Sequence, residues 1–409
     1  AKLMRYVPGL VGDQVFHGEV FDPSRYLLDE DLSGEYHRRW VKGMVLESAG
    51  EGNRMVAVRS TLGAHWRSAG EFRKVIEAAV QGILDAEKEL ANRIEGVLII
   101  GIRKDVSPQK ARWIARQWTA LAREWERERP EYARKLFGID SMGPEERFDF
   151  AEHAEIFEEA SRAGQVVTYH LGEFWSPGLL LGALKNLEQA VTSGFVSVVT
   201  NPVSLFVDPD SLPDSSYAKE TRLEIAALQK RIVTELAKRS IVVEISPTSN
   251  HELAIKRRFV EGWRLMPLGA FLDQGVLITL TDDDATVFGT DFGEEFRRLY
   301  FGETFYGAVG LRQLAKLLGN SRKASEQLRS LAAGRGAREE SLREESLFVQ
   351  KEPAYFDPSG IPFSPHEKIG KVVGIHDLDG TLIFPALTAM DDPGLPQNNL
   401  NLDRLEKAI

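Results

Sequence analysis

The sequence of 409 residues contains no cysteine. Disulfide bonds and thiolate metal ligands are therefore excluded, and the composition fits a reducing, cytoplasmic setting. The sequence also has no apolar run long enough to cross a membrane, and its first residues lack the apolar core of a secretory signal. Positively charged residues are fewer than negatively charged ones, with 51 Lys and Arg against 61 Asp and Glu. The resulting formal charge of −10 argues against nonspecific binding to nucleic acid.

Short β-rich runs alternate with longer amphipathic segments through most of the chain. This alternation predicts a parallel sheet whose strands are joined by helices. Candidate strands lie at 54–59, 96–102, 136–140, 165–170, 195–200, 240–245 and 276–281. A closed parallel barrel has eight strands. We predict an α/β fold of the TIM-type (β/α)8 barrel class, and leave open whether its first strand comes from the C-terminal tail or from a missing segment.

Composition divides the chain into three parts. Residues 1–323 form the predicted barrel. Residues 324–352 are rich in Arg, Glu, Ser and Ala, and are predicted to be a charged helix or linker. Residues 353–409 form a tail that begins with Pro and Gly, and it carries one candidate barrel strand at 371–376.

Reactive side chains follow two of the predicted strands directly. His170 and Glu173 come after one strand, and Asp282 and Asp283 come after another. Because the carboxyl ends of barrel strands form the catalytic face, these side chains are expected there. Imidazole is a common metal ligand, and adjacent carboxylates need a cation to offset their repulsion. The pattern favours a metal-activated-water site; the alternatives are a structural histidine and a helix N-cap.

Several short motifs of one known family have counterparts here in the same order. They are Gly-Ile-Asp-Ser-Met-Gly-Pro-Glu at 138–145, His-Leu-Gly-Glu at 170–173, Glu-Ile-Ser-Pro-Thr-Ser-Asn at 244–250, Thr-Asp-Asp at 281–283 and Phe-Gly-Thr at 288–290. Arg59 also looks like an arginine of that family at the end of an early strand. Between residues 54 and 320 the chain resembles the adenosine/AMP deaminase family of the amidohydrolase superfamily.

The resemblance implies zinc-dependent hydrolytic deamination of an adenine nucleoside or nucleotide to the inosine form plus ammonia. His170 and Asp282 would bind zinc, and Glu173 would shuttle a proton to the purine ring. The implied substrate-binding residues are Asp140, Gly143 and Asp283.

Two departures from the family pattern bear on activity. Asn201 stands where the family has a histidine that orients the attacking water, and an amide can hydrogen-bond but cannot act as a base. We keep Asn201 as a candidate catalytic residue. The family's opening His-x-His-Leu-x-Gly stretch is most nearly matched in the tail, by Ile-His-Asp-Leu-Asp-Gly at 375–380. His376 is therefore a candidate zinc ligand. The alternative function is a catalytically impaired, deaminase-like nucleotide-binding or scaffold protein.

The tail motif has a second resemblance. Residues 377–382 are similar to the first motif of haloacid-dehalogenase-like phosphatases, in which Asp377 would be the nucleophile, although we expect too little chain after it for that fold. The departures from the housekeeping pattern also raise a role in antiviral (antiphage) defence, and leave a homo-oligomer open. The predicted partner is a small purine nucleoside or nucleotide.

Overall fold

The computed structural model describes residues 34–62, 68–143, 145, 148–173, 179–212, 217–251, 264–283 and 290–333, and the backbone of 374–376 and 382–385. Within these ranges seven parallel strands form one sheet, and each pairs with its neighbours in chain order. The strands are β1 (Met55–Ser60), β2 (Glu95–Arg103), β3 (Leu136–Met142), β4 (Val166–His170), β5 (Val198–Thr200), β6 (Val242–Ile245) and β7 (Leu277–Leu280). Each lies within, or overlaps, one of the predicted runs.

Helices connect these strands and cover the outer face of the sheet. They are α1 (Glu35–Gly50), α2 (Ala69–Glu89), α3 (Pro108–Glu128), α4 (Pro130–Ala133), α5 (Phe150–Arg162), α6 (Leu180–Thr192), α7 (Val203–Phe206), α8 (Lys219–Arg239), α9 (Pro247–Ser249), α10 (Leu268–Asp273), α11 (Phe292–Phe301) and α12 (Leu311–Ala333). None of the described helices is both long and apolar enough to span a membrane.

Side-chain caps explain where several helices begin. Ser68 accepts a hydrogen bond from the Glu71 amide at the start of α2. Asp149 caps α5, and Ser107 caps α3, whose first residue is Pro108. Each cap satisfies a backbone amide that the helix itself cannot bond, and a proline at the first position loses no hydrogen bond.

The sheet is curled into a barrel. Arg59 on β1 donates from Nη2 to Oε1 of Glu244 on β6 at 2.7 Å. These strands stand five places apart, and a flat sheet would separate them by about 24 Å at roughly 4.8 Å per strand. The TIM-type barrel prediction is therefore confirmed at the level of the fold. In the described part of the chain, no strand pairs with the outer edges of β1 and β7.

Alternate side chains of each strand face the helices and the barrel interior. In β4, Val167 and Tyr169 pack into the main core beneath the helices, whereas Val166 belongs to a smaller cluster inside the barrel. Because side chains alternate along a strand, Thr168 and His170 share the face of Val166. The alternation of side chains along β4 therefore directs His170 into the barrel at the carboxyl end of the strand.

Helix α12 crosses the amino-terminal end of the barrel. In the middle of the helix, Asn320 donates to the carbonyl of Ile278 in β7, and near its end Arg329 binds Glu95 at the start of β2. Between them, Leu328 packs against both interior clusters. The helix therefore closes the interior from below and runs past the predicted boundary at residue 323.

The tail contributes a separate pair of strands. Residues Gly374–His376 form β8, which pairs antiparallel with β9, Leu382–Pro385. The predicted tail strand is thus observed for three residues, but in a two-stranded sheet of its own. Its entry into the barrel stays a prediction. The remainder of 334–409 lies outside the described residues.

Candidate active site

The predicted site residues that the structure describes lie at the carboxyl ends of the strands. His170 ends β4, and Glu173 follows it after a short turn; both are buried. Asn201 directly follows β5 and is also buried, while Asp282 and Asp283 follow β7 and are partly exposed. The side chain of His376 lies outside the described residues. One end of the barrel therefore gathers these groups from three strands.

His170 is backed by a buried carboxylate. Its Nδ1 lies 3.1 Å from Oδ2 of Asp140, a β3 residue with no solvent exposure. Since Nδ1 faces Asp140, Nε2 is the nitrogen on the far side of the ring. Histidines that bind metals are commonly supported from behind in this way. Asp140, predicted to contact substrate, is placed here against the histidine.

A buried arginine supplies the positive charge behind this pair. Arg59 donates to Thr200 Oγ1 at 2.9 Å and holds Glu244 with two guanidinium nitrogens. Its Nε lies 3.9 Å from Oδ2 of Asp140. The barrel interior thus alternates negative and positive groups, which offsets the cost of burying each charge.

Asn201 joins the ends of four strands. Its Nδ2 donates to Oε1 of Glu173 at 3.0 Å and lies 3.4 Å from Oδ2 of Asp283. Its Oδ1 accepts from the Ser246 amide at 3.1 Å, which fixes the orientation of the side-chain amide. Asn201 has a φ of 53°, a left-handed conformation that asparagine tolerates better than most residues. The carboxylates of Glu173 and Asp283 are both within reach of this one nitrogen atom.

The sequence is similar to that of one known protein family. The sequence model of the adenosine deaminase family matches residues 33–326. The chain belongs to the adenosine deaminase family. Within that family, adenosine deaminase of Clostridium botulinum strain Kyoto is 22% identical over 251 residues, which are 61% of this chain and 62% of that protein. The chain thus matches about three fifths of the length of this curated relative.

Two solved structures share the fold of this family member. Adenine deaminase from Arthrobacter aurescens aligns with a TM-score of 0.51 at 16% identity, over 78% of this chain and 86% of that one. An amidohydrolase from Burkholderia ambifaria with bound Zn aligns with a TM-score of 0.50 at 17% identity, over 76% of each chain. Both likenesses support the barrel.

Two acidic residues of this deaminase-family chain were not predicted from its sequence. Glu295 on α11 is fully buried; it accepts from the Thr248 amide at 2.9 Å and from the Thr290 hydroxyl. Burial raises the pKa of Glu295. Glu145 accepts from the backbone amides of Gly172 and Glu173. Glu145 lies inside the matched 138–145 motif, so that motif could have indicated it, whereas no local pattern distinguishes Glu295.

The donors present in the described residues fit a zinc site in part. Among those residues, no three His, Asp or Glu side chains come together as a metal-holding group. A catalytic zinc takes three protein ligands. His170 has Asp140 behind Nδ1, as metal-binding histidines commonly do, and Asp282 is the second ligand that the family resemblance implies. A complete site requires at least one donor from outside the described residues.

Proposed function

We propose that this chain is a metal-dependent aminohydrolase that converts the amino group of an adenine nucleoside or nucleotide to an oxo group and releases ammonia. The observation that supports this proposal best is the Asn201 bridge. It holds Glu173 and Asp283, the residues that correspond to the family's proton shuttle and base-binding carboxylate, at one end of the barrel.

In the proposed reaction Glu173 moves a proton between water and the purine ring. Its carboxylate is buried, and Asn201 holds Oε1 in a fixed position at the carboxyl end of the barrel. Asp283 would accept a hydrogen bond from the base. Its own amide donates to Thr281 Oγ1 at 3.2 Å, which stabilises its left-handed backbone conformation.

His170 and Asp282 would hold the zinc. A neutral imidazole with its proton on Nδ1, facing Asp140, leaves Nε2 as the metal-binding nitrogen. Zinc, when bound, supplies Lewis-acid activation of the attacking water. The bound Zn of the Burkholderia amidohydrolase supports this choice of metal.

We place the third donor in the tail, at His376. This assignment requires β8 to leave β9 and to pair with β1 and β7, whose outer edges carry no strand within the described residues. The test is the zinc content of purified His376→Ala, with His366→Ala as a matched control in the same tail. Loss of zinc in the first variant alone would support the assignment. A zinc content of His376→Ala equal to that of the wild type would exclude His376 as a ligand.

The activity is tested by adding adenine, adenosine, AMP or ATP to the zinc-loaded protein. Ammonia release and the ultraviolet absorbance change are followed together. We expect turnover of adenosine, AMP or ATP, and its loss in Glu173→Gln but not in Glu159→Gln, a helix-surface control. No ammonia from any of these three compounds would exclude the proposal.

A second function, purine binding without turnover, is favoured by one observation. Asn201 replaces a group that could carry charge with one that cannot. Calorimetry with the same four compounds would identify this case as saturable binding without ammonia release.

A further inference from the structure

The turn that carries Glu173 has an unusual backbone. Gly172 has a φ of 81°, and a Cβ atom there would lie 2.1 Å from Oγ of Ser204. The Gly172 carbonyl accepts from the Ser204 amide at 2.9 Å. The path of the chain from His170 to Glu173 is therefore held on one side by the segment that follows β5.

A single carboxylate holds the other side of the turn. Glu145 accepts from the Gly172 amide through Oε1 at 2.6 Å and from the Glu173 amide through Oε2 at 3.2 Å. Both oxygens of one side chain thus bind two successive backbone amides. This contact fixes the peptide plane between Gly172 and Glu173, and with it the direction in which the Glu173 side chain leaves the backbone.

Glu145 is charge-compensated within the protein. Its carboxylate lies 3.7 Å from Nζ of Lys104, whose ammonium also donates to the Gly143 carbonyl at 3.4 Å. Both residues are buried, and the ring of Phe148 lies 5.6 Å from the ammonium. A buried carboxylate without such partners would carry a large desolvation cost.

We propose that Glu145, compensated by Lys104, is a positioning residue that aims Glu173 at the substrate. The inference rests on the proposed function, because it assigns the proton transfer to Glu173. It differs from a stabilising role, since one of the two hydrogen bonds is made by the amide of the residue that would move the proton and the other by the residue before it.

The chain offers a matched pair at the opposite end of the barrel. Glu87 and Lys135 are buried to a similar extent, with 8% and 9% exposure against 5% and 6% for Glu145 and Lys104. Glu87 also accepts from a glycine amide, that of Gly96, at 2.8 Å and pairs with Lys135. Glu87→Gln therefore removes the same type of interaction without touching the catalytic face.

The experiment compares Glu145→Gln and Glu87→Gln in the full chain loaded with zinc. For Glu145→Gln we expect kcat to fall about ten-fold or more with KM within about three-fold, because substrate binding is retained while proton transfer is misaligned. Glu87→Gln should leave both constants unchanged. If Glu145→Gln does not fold, the double variant with Lys104→Met leaves no unpaired buried charge and should show the same loss of kcat. A kcat within about two-fold of wild type in the folded variant overturns the inference while the proposed function stands.

A second measurement does not depend on turnover. The amide protons of Gly172 and Glu173 bind a carboxylate, so their resonances should move upfield in Glu145→Gln and stay in place in Glu87→Gln. If the wild type releases no ammonia, the proposed function fails, and these resonances alone decide whether Glu145 holds the turn. Unmoved resonances would overturn the inference.

Discussion

Asn201 donates a hydrogen bond of 3.0 Å from Nδ2 to Oε1 of Glu173. Its carbonyl oxygen is engaged by the Ser246 amide at 3.1 Å, so the side chain cannot flip without turning that oxygen toward a carboxylate. The predicted counterpart of the family's histidine is thus a neutral donor. It holds Glu173 near Asp283 without contributing a charge of its own.

Asn201→Asp should be more damaging than its small change in shape suggests. The substitution replaces a donor with an acceptor that faces Glu173 and Asp283, so we expect a loss of about 1–3 kcal/mol in stability. We also expect kcat to fall by about ten-fold or more. Thermal unfolding and steady-state kinetics measure the two effects.

Asn320→Asp is the control for this prediction. Asn320 also donates from its side-chain amide, to the Ile278 carbonyl at 2.9 Å, but at the amino-terminal end of the barrel. It should lose stability and keep kcat. Equal kcat values in Asn201→Asp and the wild type would contradict the role of the Asn201 bridge.

Zinc removal should abolish turnover reversibly. We expect about one zinc per chain, loss of ammonia release after chelation, and recovery when zinc is added back. His170→Ala should lower the zinc content, whereas His153→Gln should not, because His153 lies in the helix layer against the ring of Phe148. Elemental analysis of the purified proteins provides the measurement. Full zinc occupancy in His170→Ala would exclude this ligand.

Gly172→Ala should destabilise the chain by about 1–3 kcal/mol, since alanine at this positive φ is strained. Its methyl group would also collide with the Ser204 hydroxyl. Gly182→Ala in helix α6 has open space around the added methyl, and should instead stabilise by about 0.5–1 kcal/mol. Urea unfolding of both variants gives the comparison. If the free energy of unfolding changed in the same direction in both variants, the strain assigned to the turn at Gly172 would be contradicted.

Glu295 should make the chain less stable as the pH rises. Burial raises its pKa above the ordinary value of 4.5, so the folded state keeps the proton to a higher pH than the unfolded state does. The stabilisation that protonated Glu295 contributes is fully present below pH 4.5, and it is lost as the pH rises through the raised pKa. The stability of wild type relative to Glu295→Gln should therefore fall as the pH rises above 4.5.

The neighbouring Glu294 provides a control of opposite sign. Its hydrogen bond with Arg297 lowers its pKa from 4.5 to about 2. The stabilisation that ionised Glu294 contributes is fully present above pH 4.5, and it is lost as the pH falls toward about 2. Wild type relative to Glu294→Gln should thus lose stability on acidification. Unfolding curves at several pH values test both slopes, and parallel slopes would contradict the assignment for Glu295.

Much of the fold could be predicted because strand and helix periods are local. The β4 run carries the apolar Val167 and Tyr169 on its outer face, and its ending at His170 is visible in the sequence alone. The length of β5 was less predictable: only Val198–Thr200 of the run at 195–200 pairs in the sheet, since pairing depends on neighbours far along the chain.

The site was predicted through motifs, and its supporting contacts were not. The distances between Asn201, Glu173 and Asp283 depend on how three strand ends converge. Glu295 belongs to an ordinary amphipathic helix, and its contacts with the Thr248 amide and the Thr290 hydroxyl come from segments outside that helix. Asp140 belongs to a motif that the sequence shows, but its position behind His170 depends on the register between β3 and β4.

The path of α12 determines where inserted or fused sequence can be accommodated. By Ala333 the chain has crossed from β7 to the amino-terminal ends of β1 and β2, where Ala332 packs on the interior cluster. A reporter domain inserted after this point would begin on the face opposite His170 and Glu173. Labelling, surface tethering or purification tags at this position should therefore leave the mouth of the barrel open to small molecules.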